Sequence, residues 1–179
     1  ATAPDGSVYI LECTRWGGKG LKVQPPERIF QFDPDGNYIA SWSHEGYEPG
    51  QINMAVDLAV SHESRIYVAD TYNNRIQVFS RGGEFLFAWG EEGNEPGQLL
   101  TPQGIDIDAR GRVFVADTAN HRIQVFSPDG EWLCAFGSEG DKPGEMWLPC
   151  GISWDGQSRL LVADTMNRRI QIFQERQPA

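Results

Sequence analysis

The chain has 179 residues, 25 of them acidic and 15 basic, for a formal net charge of −10, with 40% apolar and 11% aromatic side chains. The aromatic content excludes a disordered chain, and no apolar run reaches the roughly 18 residues of a membrane-spanning helix. The acidic balance argues against a general phosphate attraction to nucleic acid, and the length suits one domain with a sizeable core.

From the N-terminus, the first apolar runs are Val8-Tyr9-Ile10-Leu11-Glu12 and Arg28-Ile29-Phe30-Gln31-Phe32. Between them lies a glycine-rich, locally basic insertion, Thr14 to Lys22. Ile66-Tyr67-Val68-Ala69-Asp70 repeats the first run 58 residues on, and Arg75-Ile76-Gln77-Val78-Phe79 repeats the second 47 residues on. The tetrad Val-Ala-Asp-Thr then occurs at 68–71, 115–118 and 162–165, spaced by 47 residues both times. Arg75, Arg122 and Arg169 keep that spacing, as do Phe79, Phe126 and Phe173. So do the loops Gly46–Gln51, Gly93–Gln98 and Gly140–Glu145. The units run approximately 1–51, 52–98, 99–145 and 146–179.

Each full unit holds four apolar runs. In the third unit they are Gly104–Asp108, Arg112–Asp117, Arg122–Ser127 and Trp132–Gly137. They are too short for helices and rich in Val, Ile, Phe and Trp, so they are predicted strands. Ser127-Pro128-Asp129-Gly130 is a predicted hairpin turn, in which Pro presets φ and Gly supplies a positive φ. Both alternating faces of Ile66–Ala69 and of Phe85–Trp89 are apolar. A sheet with one wet face would alternate apolar with polar, so these sheets must be covered on both sides. An all-β ring of four-stranded antiparallel blades, a β-propeller, provides that cover.

The segment Gly104 to Phe136, GIDIDARGRVFVADTANHRIQVFSPDGEWLCAF, resembles the NHL repeat, and the likeness extends over nearly the whole chain. The resemblance implies blades of four strands with the first strand at the central axis, usually in rings of five or six. It is not specific for an activity: NHL repeats occur in protein-binding and RNA-binding propellers, receptor ectodomains and a peptide-amidating lyase. Here the units read as three strands, two full blades and three strands, roughly fourteen in all. That count predicts a ring completed by further residues or by self-association with a second chain.

The pairs Asp70/Arg75, Asp117/Arg122 and Asp164/Arg169 recur in every unit, which predicts a structural role. His44, His62 and His121 do not occupy equivalent positions, so they do not converge on an axis as zinc ligands would. Cys13, Cys134 and Cys150 lack C-x-x-C spacing, and there is no G-x-S-x-G elbow. No catalytic residue, metal site or cofactor is therefore assigned. Asp106, inside the innermost strand of its blade, is the one axial candidate for a cation. An odd number of cysteines disfavours a disulfide framework and leans toward a reducing, cytoplasmic setting, while the first residue, Ala1, leaves processing open.

The links between blades are acidic and should share one face with the turns between second and third strands, giving a negative face that steers basic partners. Those turns vary on a constant scaffold, where specificity usually resides. The predicted contacts are Arg15, Trp16, Tyr72, Asn74, His121, Met166 and Arg168. The expected function is a non-catalytic scaffold for a protein partner of basic character. The alternatives are a lyase- or lactonase-type propeller enzyme with an axial metal, and an RNA-binding domain.

Overall fold

The computed structural model describes residues 1–12 and 27–175, so the Thr14–Lys22 insertion, with the predicted contacts Arg15 and Trp16, lies outside the described residues. The first sheet comprises β1 (Val8–Glu12), β2 (Arg28–Phe32) and β3 (Tyr38–Trp42). The second comprises β4 (Asp57–Val60), β5 (Ile66–Asp70), β6 (Arg75–Phe79) and β7 (Phe85–Trp89). The third comprises β8 (Pro102–Ile107), β9 (Val113–Asp117), β10 (Arg122–Phe126) and β11 (Trp132–Phe136). The last comprises β12 (Pro149–Trp154), β13 (Arg159–Asp164) and β14 (Arg169–Gln174). All are antiparallel meanders of sequential strands.

The sequence repeat becomes a repeat of register. Ile66 opposes Phe79 and Asp70 opposes Arg75, just as Val113 opposes Phe126 and Asp117 opposes Arg122. β2, β6 and β10 each shift register near their ends against the strand that follows, between Gln31 and Phe32, Val78 and Phe79, and Val125 and Phe126. The following turns close on glycines in the left-handed region, Gly36, Gly83 and Gly130, at φ of 85°, 86° and 88°. One strand begins earlier than its apolar run suggests: β8 starts at Pro102, not Gly104. A bulge between Pro102 and Ile105 lets Pro102 oppose Asp117. At the first position of a strand the missing proline N–H does no harm, and the Pro102 carbonyl accepts a bond from Thr71 Oγ1 at 2.7 Å.

The cores lie between sheets. Ile66 and Val68 of β5 pack with Tyr9, Ile29 and Ile52, whereas Tyr67 and Ala69 of the same strand pack with Val113, Val115 and Phe126. Alternate residues thus enter opposite interfaces, the physical reason that both faces of the strand are apolar. Phe114, Ile123 and Val125 meet Leu160 and Val162 in the third interface. Hydrogen bonds stitch the same joins: Tyr67 Oη donates to the Pro128 carbonyl at 3.0 Å, and Thr118 Oγ1 to that of Pro149 at 2.7 Å.

The two terminal sheets each pack only one face against a described neighbour. Ile170 and Ile172 on β14 are 61% and 59% exposed, although their counterparts Ile76, Val78, Ile123 and Val125 are buried. Ile10 on β1 is half exposed where its counterpart Val68 is buried.

Gly130 and Gly144 separate two effects. Both have left-handed φ, but a Cβ on Gly130 would lie 2.7 Å from the Trp89 ring, whereas a Cβ on Gly144 meets nothing within 4 Å among the described residues. Gly144→Ala is expected to cost about 1 kcal/mol through backbone strain, and Gly130→Ala about 2–4 kcal/mol through strain plus overpacking. Urea denaturation of both variants measures the difference.

Candidate interaction face

The turn face is assembled around one buried carboxylate per blade. Asp70 ends β5 and is fully buried. Its Oδ1 accepts the Asn53 amide at 2.7 Å, and its Oδ2 accepts Asn73 Nδ2 at 2.8 Å, Arg75 Nε at 2.7 Å and Gln77 Nε2 at 3.0 Å. Those donors reach onward to the preceding link: Arg75 Nη2 donates to the carbonyls of Glu48 and Gln51, Gln77 Nε2 donates to that of Gln51, and Gln77 Oε1 accepts the Gly50 amide. Asp117 repeats this with Leu100, Asn120, Arg122 and Gln124, and Asp164 with Trp147, Asn167, Arg169 and Gln171. The Asp–Arg pairs are therefore parts of four-residue clamps on the interblade loops.

Burial pushes the Asp70 carboxyl above its ordinary range despite these donors. At Asp164 burial pushes the same way, but the Trp147 amide, Asn167 and Arg169 outweigh it and the carboxyl is held below that range.

Asn73, Asn120 and Asn167 also donate to the carbonyls of Gly46, Gly93 and Gly140, at 2.7–2.9 Å. This bond places the links and the turns on one face, together with the carboxylates of Glu48, Glu91, Glu92, Glu95, Glu139 and Asp141. The turns themselves are single 3₁₀ turns, Thr71–Asn73 and Thr118–Asn120, each closed by a left-handed residue, Asn74 and His121.

The predicted contact residues divide into two groups. Asn74 Oδ1 accepts the Thr101 amide at 2.8 Å, and His121 Nδ1 accepts the Leu148 amide at 3.1 Å, so both side chains bind the next blade's loop. Tyr72, Met166 and Arg168 are exposed on the face. Met166 donates its amide to the Trp147 carbonyl at 3.1 Å, which sets two half-exposed apolar side chains on adjacent backbone. Trp147 and the still more exposed Tyr47 escaped the sequence reading. A comparison of Asn53, Leu100 and Trp147, the variable position after a buried apolar residue in each link, would have found the former.

On the innermost strands Asp106 has a companion. Asp106 Oδ2 accepts the Trp154 amide at 2.6 Å and Oδ1 the Ile107 amide at 2.8 Å. Asp57 takes the Ile105 and Leu58 amides at 3.0 and 2.9 Å. Each carboxylate thus ties its inner strand to the next, and burial raises both carboxyls above their ordinary range. Among the described residues no group of three or more His, Cys, Asp or Glu is placed to hold a metal ion.

Residues 99–126 match the family model of the NHL repeat, and residues 51–112 match a 6-bladed β-propeller model. These two matches support an NHL-repeat β-propeller family. Over 57 residues the chain is 42% identical to peptidyl-glycine alpha-amidating monooxygenase of Mus musculus, a match covering 29% of this chain and 6% of that protein. Its propeller resembles a gluconolactonase of Xanthomonas campestris at 18% identity and TM-score 0.62, covering 90% of this chain and 51% of that one. A luciferin-regenerating enzyme matches at 17% and 0.64 over 90% and 51% of the two chains. Virginiamycin B lyase of Staphylococcus aureus, in a catalytically inactive form, matches at 15% and 0.61 over 99% and 55%. This propeller chain spans about half the length of those solved structures. Likeness at these identities concerns the fold.

Removing a clamp should be among the most damaging polar substitutions in the propeller. Asp117→Ala leaves Arg122, Asn120 and Gln124 without their shared acceptor and is expected to cost about 3–5 kcal/mol by chemical denaturation. The inner carboxylates predict a pH effect of opposite origin. A carboxyl raised on folding takes up its proton in the folded state first, so stability from this group rises as pH falls from the folded value toward the ordinary one near 3.9. Wild type should therefore gain stability relative to Asp106→Asn as pH is lowered through that window. A constant difference between the two denaturation curves across pH would refute the assignment.

Proposed function

We propose that this propeller is a non-catalytic protein-interaction module whose working surface is the clamped turn face. The observation carrying this reading is the exposed Trp147–Met166 pair, beside Arg168, on a face ringed by Glu139, Asp141 and other carboxylates. Aromatic and Arg side chains in a rigid setting are the usual anchors of interfaces, and a negative surround accelerates encounter with cationic surfaces. The partner is a protein presenting an apolar anchor within a basic surround. The same negative face weighs against RNA, whose phosphates it would repel. The exposed faces of the first and last sheets support a further part of the proposal, that additional propeller blades cover them.

A propeller enzyme with an axial metal is the competing reading. It draws on Asp57 and Asp106 at the inner strands and on the lyase, lactonase and regenerating enzymes that share the fold.

A fluorescent amphipathic peptide of Leu and Arg is a suitable probe. Its binding is expected to weaken about tenfold when Trp147 and Met166 are both replaced by Ala, and to fall between about 50 and about 300 mM salt. Glu84→Ala, in a hairpin at the opposite end of the strands, should leave it unchanged. Equal binding by all three proteins, or stoichiometric zinc or calcium in the purified chain, would overturn the reading.

A further inference from the structure

The links that enter β4, β8 and β12 each contain one residue in the left-handed region. These are Met54, Thr101 and Leu148, at φ of 51°, 48° and 49°. That conformation is unfavourable for a residue with a side chain, and it persists only where surrounding bonds hold it. In each link the holding group stands 27 residues earlier, in step with the repeat. The Glu27 carboxylate accepts the amides of Met54 and Ala55. Asn74 Oδ1 accepts that of Thr101 at 2.8 Å, and His121 Nδ1 accepts that of Leu148 at 3.1 Å.

One task is thus performed by a carboxylate, an amide and an imidazole, which respond differently to protons. The Asn74 amide does not titrate. An imidazole ordinarily changes charge close to neutral pH. Nδ1 of His121 can accept only while it carries no hydrogen, so the bond to Leu148 requires the neutral ring protonated on Nε2. A second proton makes Nδ1 a donor facing another donor, and the bond is lost.

The residue beside Leu148 is Trp147. Its amide donates to Asp164 Oδ1 at 2.7 Å, and its carbonyl accepts the Met166 amide at 3.1 Å. The backbone that presents Trp147 is therefore held by Asp164, Met166 and His121. Charged groups surround the imidazole on three elements. Asp117 and Arg122 on its own hairpin, and Asp164 and Arg169 on the next, are paired within clamps. The link it binds carries Glu139, Asp141 and Glu145, with Lys142 3.8 Å from Glu145, and Arg168 stands on the following turn. Carboxylate, ammonium and guanidinium groups ordinarily keep their charge through the imidazole range, which leaves His121 as the group that changes.

We propose that His121 is a proton-sensitive latch on the turn face. Neutral, it fixes Trp147 and Leu148 beside Met166; protonated, it releases that segment and weakens partner binding. The inference rests on the Trp147–Met166 surface proposed above and adds its regulation by pH.

Two readouts separate the latch from the surface it serves. In the free chain, the Leu148 amide resonance in ¹H–¹⁵N spectra is expected to follow protonation of His121 between about pH 7.5 and about pH 5. Over the same range wild type should bind the Leu–Arg peptide about fivefold more weakly, the worth of one hydrogen bond. His121→Asn places the acceptor of Asn74 in the latch and should lose this pH dependence, although Glu27, His44 and His62 remain. His121→Ala has neither acceptor nor charge, and at the upper pH should bind as weakly as wild type does at the lower. Full affinity in His121→Ala would overturn the proposal, because added charge rather than a lost bond would then explain the acid effect. A Leu148 resonance indifferent to pH in wild type would overturn it without any variant. A titrating Leu148 amide in a chain that binds no peptide at any pH would support the latch and overturn the surface assignment.

Discussion

Every join between consecutive blades depends on a carboxylate buried at the end of the second strand. Asp70, Asp117 and Asp164 are each fully buried, and an unpaired charge there would be untenable. Pairing with Arg, Asn, Gln and a backbone amide removes that penalty but adds little net stability, because both ions have left water. The larger consequence is register. The donors to Asp70 come from the preceding link, the 3₁₀ turn and two positions on β6. A slip of one residue would turn Arg75 and Gln77 to the other side of the strand and break the clamp, while moving Ile76 and Val78 out of the core.

This constraint decides which face residues are free to vary. In each turn Asp and Asn are held by the clamp, and Thr71 and Thr118 bond to the next blade, so the residue between Thr and Asn (Tyr72, Ala119 or Met166) is the one that differs in kind from turn to turn. The left-handed residue after it is less free than its variability suggests. Asn74 and His121 differ in chemistry yet perform one task, accepting an amide from the following link through a side-chain atom at similar reach. Arg168 occupies the same backbone conformation and carries donors only, so it cannot perform that task.

Much of this was legible in the sequence because it repeats. The 47-residue spacing, the apolar runs and the glycine turns report the strands and their order directly. What repetition does not mark was missed. Asp57 performs the same tie as Asp106 from a position two residues out of register with it, so alignment of the units hides the pair. The inward role of His121 depends on a single amide 27 residues away, which no local pattern encodes. Trp147 stands between Met146 and Leu148 in an apolar run that suggests burial, and only the fold exposes it beside Met166.

The clamp and the open sheets are coupled through burial. The three clamps contain the same donors, yet the Asp70 carboxyl is raised and that of Asp164 is lowered. Asp70 belongs to a blade packed between two others, and its desolvation dominates. Asp164 belongs to the last sheet, where Ile170 and Ile172 leave one face of the blade to water, and hydrogen bonding prevails. Covering that face would bury two isoleucines, worth about 1.5–3 kcal/mol each, and would draw Asp164 toward the environment of Asp70. In a quasi-one-dimensional array, apolar gain and charge desolvation at each blade are thus set by its neighbours. The Asp–Arg–Asn–Gln cluster makes that neighbour dependence tolerable: its donors are in place whether the blade is covered on one side or on both.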